Sequence, residues 1–138
     1  MSERSSTQNR PRVLLADDHP PLLAAATALL IPHFDVVGSA VDGEKLVSEA
    51  LRLDPSVIVV DVTMPGLSGI DAVHRLRELG SRARVVFLTI HAEEEFLIAC
   101  RAEGALGYVL KAKMMTQLVP AIRAALEGAS YTSSLIHR

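Results

Sequence analysis

Five short apolar runs alternate along the chain with segments of helical character, and this alternation restricts the possible fold more than any other feature. The runs lie at residues 12–16, 34–40, 56–61, 83–90 and 106–111. The first, third and fourth runs lack a regular alternation of polar residues, which is typical of parallel strands covered on both faces. Alternating strands and helices indicate right-handed crossovers and one sheet with helices on both sides.

The segments between the runs have the spacing of amphipathic helices. Residues 43–53, for example, place Leu46, Ala50 and Leu53 on one helical stripe. Further helices are predicted at residues 20–30, 68–79, 93–104 and 114–128, the last with Pro120 inside it, where a kink can form. The pattern predicts an α/β fold: a flavodoxin-like, doubly wound (βα)5 sandwich whose parallel five-stranded sheet has the order 2-1-3-4-5.

Length and composition favour one domain with an aliphatic core. The chain has 138 residues, of which 49% are hydrophobic. We expect this domain at residues 11–128, after a disordered leader at 1–10 and before the start of an interdomain linker or tail at 129–138. A net charge of −2 gives no general attraction to nucleic acid, and no apolar run is long enough to predict a membrane span. The single cysteine excludes an internal disulfide and fits a reducing, cytoplasmic location.

Charged and polar residues stand at the ends of four predicted strands. Asp17 and Asp18 follow the first strand, whereas Asp61, Thr89 and Lys111 lie at the ends of the third, fourth and fifth. In a doubly wound sheet, ligands bind at the carboxyl ends of the strands where the winding reverses, here between strands 1 and 3. These side chains are therefore expected to meet at one edge of the sheet.

Such a cluster of carboxylates predicts a cation and an anionic substrate. Neighbouring carboxylates repel one another, and Mg²⁺ is a hard cation that prefers oxygen ligands. Mg²⁺ and Lys111 together would balance the charge of three carboxylates and leave the site able to receive a phosphoryl group. Asp61 would then be the nucleophile, and Thr89 and Lys111 would bind the phosphoryl oxygens.

Several motifs carry a family resemblance over residues 11–128. The segments "LLADDHP", "VVDVTMPGLSGID", "VVFLTIHA" and "GALGYVLKA", in this order, resemble the receiver domain of two-component response regulators. The segments "DDHP" and "LVPAIRAALEGASY" are similar to the NarL/FixJ-like subfamily, in which a receiver is joined to a LuxR-type helix-turn-helix domain. The resemblance agrees with the α/β fold predicted from the alternation.

The resemblance implies a Mg²⁺-dependent phosphoprotein that takes part in a phosphorelay. Asp61 would accept the phosphoryl group from a histidine kinase. Asp17, Asp18, Asp61 and the backbone carbonyl of Thr63 would bind Mg²⁺. The chain would not be an enzyme in the usual sense, although it would catalyse its own phosphorylation and dephosphorylation.

The resemblance also implies a switch and an output. Thr89 and Tyr108 would be the switch pair, and their movement would remodel the face formed by the fourth helix, fifth strand and fifth helix. The protein is expected to pair as a homodimer. It would bind DNA only through a C-terminal helix-turn-helix domain that is absent here. The sequence departs from the family pattern at Ala112, where many receivers have proline. Thr63 and His91 occupy positions that tune phosphoryl lifetime in the family.

Three alternatives remain open from the sequence. A stand-alone receiver would act by protein contact or phosphorelay. A haloacid-dehalogenase-like phosphatase would need a second acid two residues after Asp61, where Thr63 stands. A flavodoxin-like flavin or nucleotide carrier would need a Gly/Ser/Thr-rich loop after strand 1, but "DDHPP" is acidic and would repel phosphate.

Overall fold

A parallel sheet with helices on both faces forms the molecule in the computed structural model, which describes residues 9–134. The strands are β1 (Arg12–Ala16), β2 (Asp35–Ala40), β3 (Val57–Val60), β4 (Arg84–Thr89), β5 (Gly107–Leu110) and β6 (Tyr131–Thr132). Their order in the sheet is β2-β1-β3-β4-β5-β6, and every neighbouring pair is parallel. The α/β fold class and the order of the first five strands are confirmed.

The sheet differs from the prediction by its sixth strand. β6 pairs with β5 through main-chain hydrogen bonds, from Tyr131 N to Leu106 O at 2.9 Å and from Ser133 N to Tyr108 O at 2.8 Å. This strand lies in the segment 129–138, for which we expected a linker or tail. Residues 135–138 of that segment, and residues 1–8 of the expected leader, lie outside the described residues.

Five α-helices connect the strands in the described part of the chain. They are α1 (Pro20–Leu30), α2 (Gly43–Leu53), α3 (Gly69–Glu78), α4 (Glu94–Ala102) and α5 (Met114–Leu126), and a 3-10 turn, Lys111–Lys113, precedes the last. Two of the helices begin at side-chain caps, where the carboxylate of Asp42 accepts from Lys45 N and the hydroxyl of Ser68 accepts from Asp71 N. Pro120 lies inside α5, which runs through it.

The central strands contribute alternate residues to two separate cores. In β3, Ile58 and Val60 pack in the core that contains α2, α3 and α4, whereas Val57 and Val59 pack in the core that contains α1 and α5. The unbroken apolar runs of the sequence follow from this double burial. Among residues 9–134, none of the helices combines the length and apolarity needed to cross a membrane.

Candidate functional site

The first and third strands place two buried carboxylates side by side. The backbone N–H of Asp61 donates to Ala16 O at 2.9 Å, and that of Asp17 donates to Ala40 O at 3.0 Å, so both residues continue the parallel pairing of their strands. Asp17 and Asp61 are buried, whereas Asp18 is exposed. Oxygen atoms of the three carboxylates lie within 4.8 Å of one another. The structure thus brings together the acids that the end-of-strand rule predicts to converge.

Lys111 supplies the positive charge of this cluster. It begins the 3-10 turn after β5, and its Nζ lies 2.8 Å from Asp17 Oδ2 and 3.1 Å from Asp61 Oδ2. Burial disfavours the charged form of Lys111, but its hydrogen bonds and ion pairs with the two aspartates outweigh burial and raise the pKa of Lys111. The ammonium therefore stays charged at neutral pH.

One ammonium serves two buried carboxylates, so negative charge remains in excess. Burial is the main cause that raises the pKa of Asp61; the charge of Lys111 acts in the opposite direction, and the charge of Asp17 adds to the increase. No hydrogen-bond partner for Asp61 Oδ1 lies within residues 9–134, although this atom is buried. An unpartnered carboxylate oxygen beside two further carboxylates fits a hard divalent cation such as Mg²⁺.

The loop between β3 and α3 holds Asp61 through close backbone contacts that the sequence analysis missed. Gly69 N donates to Val62 O at 2.8 Å, and a Cβ at Gly69 would lie 1.8 Å from Asp61 O. Only glycine fits this approach. Thr63 is exposed in the same loop, and the role of its carbonyl as a metal ligand remains a prediction.

Thr89 and Tyr108 are linked through the backbone of His91. Thr89 is buried at the end of β4, and its Oγ1 accepts a hydrogen bond from His91 N at 3.1 Å. Tyr108 is 2% exposed, and its hydroxyl donates to His91 O at 2.7 Å. The ring of His91 stacks on Phe96, with 4.0 Å between ring centroids. Thr89 is thus bonded to its own loop, and no sequence pattern identified His91 as the shared partner.

The cluster as a whole has the parts needed for transfer of an anionic group. Asp61 offers a carboxylate oxygen with no protein partner in the described chain, and Lys111 lies beside it as a fixed cation. Asp17 and Asp18 add ligands for a divalent ion. Catalysis of phosphoryl transfer depends mainly on such positioning and neutralisation of charge.

Comparisons with known proteins agree with this chemistry. The response regulator receiver domain family matches residues 13–123. The transcriptional regulatory protein MctR of Rhizobium johnstonii is 37% identical over 125 residues, which cover 89% of this chain and 58% of MctR. The chain therefore spans little more than half the length of that relative.

Two solved structures have the same fold with appreciable identity. A LuxR-family two-component response regulator from Aurantimonas sp. SI85-9A1 superposes with a TM-score of 0.84 and 32% identity, covering 89% of both chains. The non-phosphorylated receiver domain of the stress response regulator RcsB from Escherichia coli gives a TM-score of 0.82 and 30% identity, covering 91% of this chain and all of the other. The family match at residues 13–123 spans every residue of the site described above.

Proposed function

The chain belongs to the response regulator receiver domain family, and we propose on that premise that Asp61 accepts a phosphoryl group from a histidine kinase in a Mg²⁺-dependent reaction. The observation that carries the proposal is the arrangement around Asp61. Its Oδ2 is bonded to Lys111 at 3.1 Å, and its buried Oδ1 has no partner among residues 9–134. One oxygen is thus held by a cation, while the other has no protein partner among these residues.

The residues present fit a bound Mg²⁺, which would be held by Asp17, Asp18, Asp61 and the carbonyl of Thr63. The ion would supply positive charge that draws the phosphoryl oxygens to the site. An oxygen of Asp61 forms a bond to phosphorus as the phosphorus–nitrogen bond of the kinase's phosphohistidine breaks. The departing imidazole takes a proton, and hydrolysis of the aspartyl phosphate later returns inorganic phosphate. Lys111 stays charged throughout and offsets the charge on the transferred group.

Thr89 and Tyr108 act as the switch in this proposal. The Thr89 hydroxyl exchanges its bond with His91 N for one with the phosphoryl group on Asp61. Because Tyr108 donates to the carbonyl of the same residue at 2.7 Å, movement of the loop after β4 changes the contacts of the Tyr108 ring. A small change at Asp61 then shifts the equilibrium between two conformations of the face formed by α4, β5 and α5.

The output is transcription control through a helix-turn-helix domain that is not among these 138 residues. The names of the relatives support this reading, since MctR is called a transcriptional regulatory protein. Paired receivers, as homodimers, would present two such domains to DNA. A receiver that acts alone by protein contact or phosphorelay is the second candidate.

The test is incubation with Mg²⁺ and acetyl phosphate, followed by intact mass measurement. We expect one phosphoryl adduct in the unchanged protein and none in Asp61→Asn. Asp71→Asn, on the exposed first turn of α3, is the matched control and should keep the adduct. An adduct that persists in Asp61→Asn would place the acceptor elsewhere. Steady turnover of phosphomonoesters would favour a phosphatase instead.

A further inference from the structure

Ser133 is a buried polar residue outside the segment that the receiver family matches. The family match ends at residue 123, ten positions earlier. Ser133 is 2% exposed and follows β6 directly. A buried hydroxyl destabilises a fold unless it is hydrogen-bonded, so its partners indicate why the site is polar.

The hydroxyl of Ser133 joins the end of β5 to α5. Its Oγ accepts a hydrogen bond from Leu110 N at 3.1 Å and donates to the side-chain oxygen of Gln117. Its backbone N–H donates to Tyr108 O at 2.8 Å. Ser133 thus contacts β5 on both sides of Val109 and also contacts the helix that follows.

The residue after Leu110 is Lys111, the cation of the site. Leu110 is the last residue of β5, and β6 pairs only with Gly107 and Tyr108. The N–H of Leu110 lies beyond this pairing and donates to the hydroxyl of Ser133 instead. Ser133 therefore bonds the backbone at the point where the chain leaves the strand and turns to present Lys111 to Asp17 and Asp61.

Thr132, the residue before Ser133, bonds the same segment to α4. Arg101 of α4 donates from Nη2 to Thr132 Oγ1 at 2.8 Å. Residues 131–133 are consequently bonded to α4, β5 and α5. These are the three elements of the face that the proposed switch remodels.

We infer that Ser133 is a positioning residue for Lys111, so that the phosphoacceptor unit extends beyond the family match to residue 133. The inference rests on the proposed function for its kinetic consequence. Loss of the hydroxyl leaves Leu110 N without its bond, and the turn that carries Lys111 becomes less well fixed relative to Asp61.

The kinetic test compares Ser133→Ala with Ser133→Thr, which keeps a hydroxyl, and with Ser134→Ala, which alters the exposed neighbour. The rate of adduct formation with acetyl phosphate and Mg²⁺ is measured for each folded protein. We expect Ser133→Ala to be about fivefold slower, the size typical of one hydrogen bond. Ser133→Thr should recover most of the rate, and Ser134→Ala should leave it unchanged. Equal rates in Ser133→Ala and the unchanged protein would overturn the inference.

A second readout does not depend on phosphorylation. The ammonium signal of Lys111 in NMR spectra reports its ion pairs with Asp17 and Asp61. In Ser133→Ala the ammonium protons of Lys111 and the amide proton of Leu110 should exchange faster with water. Ser134→Ala should leave both exchange rates unchanged. Faster exchange at Leu110 with an unaltered Lys111 signal would reduce Ser133 to a structural role. Absence of any adduct in the unchanged protein would instead refute the proposed function and leave the NMR result to decide the positioning role.

Discussion

Lys111 Nζ donates a hydrogen bond to Asp61 Oδ2 over 3.1 Å, although the two residues are 50 positions apart in the sequence. The same nitrogen lies 2.8 Å from Asp17 Oδ2. The ends of three different strands are therefore joined through one ammonium group. This relationship makes the charge of Lys111 the first feature to test.

Replacement Lys111→Gln should slow phosphorylation of Asp61 by about 10²-fold, the usual cost of removing one group that stabilises charge in a transition state. The amide side chain is one atom shorter; it keeps a hydrogen-bond donor but loses the charge. Adduct formation with acetyl phosphate, followed by intact mass, measures the effect. Lys113→Gln, two residues further along, is the control and should behave as the unchanged protein. A rate in Lys111→Gln within twofold of the control would contradict this role.

Magnesium should stabilise the protein through the three carboxylates. At about ten times its Kd, a bound ion adds about 1.4 kcal/mol to the free energy of unfolding, or roughly 5 °C in Tm for a domain of this size. In Asp18→Asn the increase should be largely lost, because one ligand is removed. Asp35→Asn, at the start of β2, should retain the full increase. Thermal unfolding with and without Mg²⁺ provides the comparison, and an equal increase in both variants would exclude Asp18 as a ligand.

The close contact of Gly69 with Asp61 predicts a large effect of a single methyl group. In Gly69→Ala the new Cβ would meet Asp61 O at 1.8 Å, so the loop between β3 and α3 must move. We expect a loss of about 3 kcal/mol in the free energy of unfolding, at the upper end for overpacking, and slower phosphorylation of Asp61. Gly66→Ala is the control, since a Cβ added at Gly66 would have no atom within 4 Å and only the φ of +73° is unfavourable for alanine. Urea unfolding that ranks the two variants in the opposite order would show that the contact is relieved at little cost.

His74 should make the stability depend on pH. Its hydrogen bond to Glu103, then the charges of Glu103 and Glu78, raise the pKa of His74 in the folded protein. A raised pKa means that the stabilisation is fully present below the unfolded value of about 6.5 and is lost as the pH rises through the folded value. Urea midpoints should therefore fall between pH 6 and pH 8 by more in the unchanged protein than in His74→Gln. Parallel pH profiles for the two proteins would refute the contribution.

The strands that are buried on both faces could be predicted, because their apolar runs are continuous. Val57 through Val60 face two different cores, so no polar residue interrupts them. The meeting of Asp17 with Asp61 also followed from the sequence, since parallel strands bring their carboxyl ends to one edge. In both cases a general rule of sheet geometry connects the pattern with the structure.

Other features left no such pattern. β6 has two residues and is held by main-chain hydrogen bonds, so neither length nor periodicity reveals it. The contact between Gly69 and Asp61 depends on two backbones in space, and a glycine after Ser68 reads equally well as an ordinary helix start. The shared bonds of Thr89 and Tyr108 involve the backbone N–H and carbonyl of His91, which every residue type except proline would offer.

The short strand β6 has a consequence for self-association. Without it, the backbone groups of Gly107 through Leu110 would form an open sheet edge, to which a strand of another molecule could add. Tyr131 and Thr132 pair with Gly107 and Tyr108, which are half of that edge, and a two-residue strand is too short to offer a long new edge. A chain that ends at Gly128, which keeps the whole of α5 but lacks β6, should therefore aggregate more readily than the chain that retains these residues.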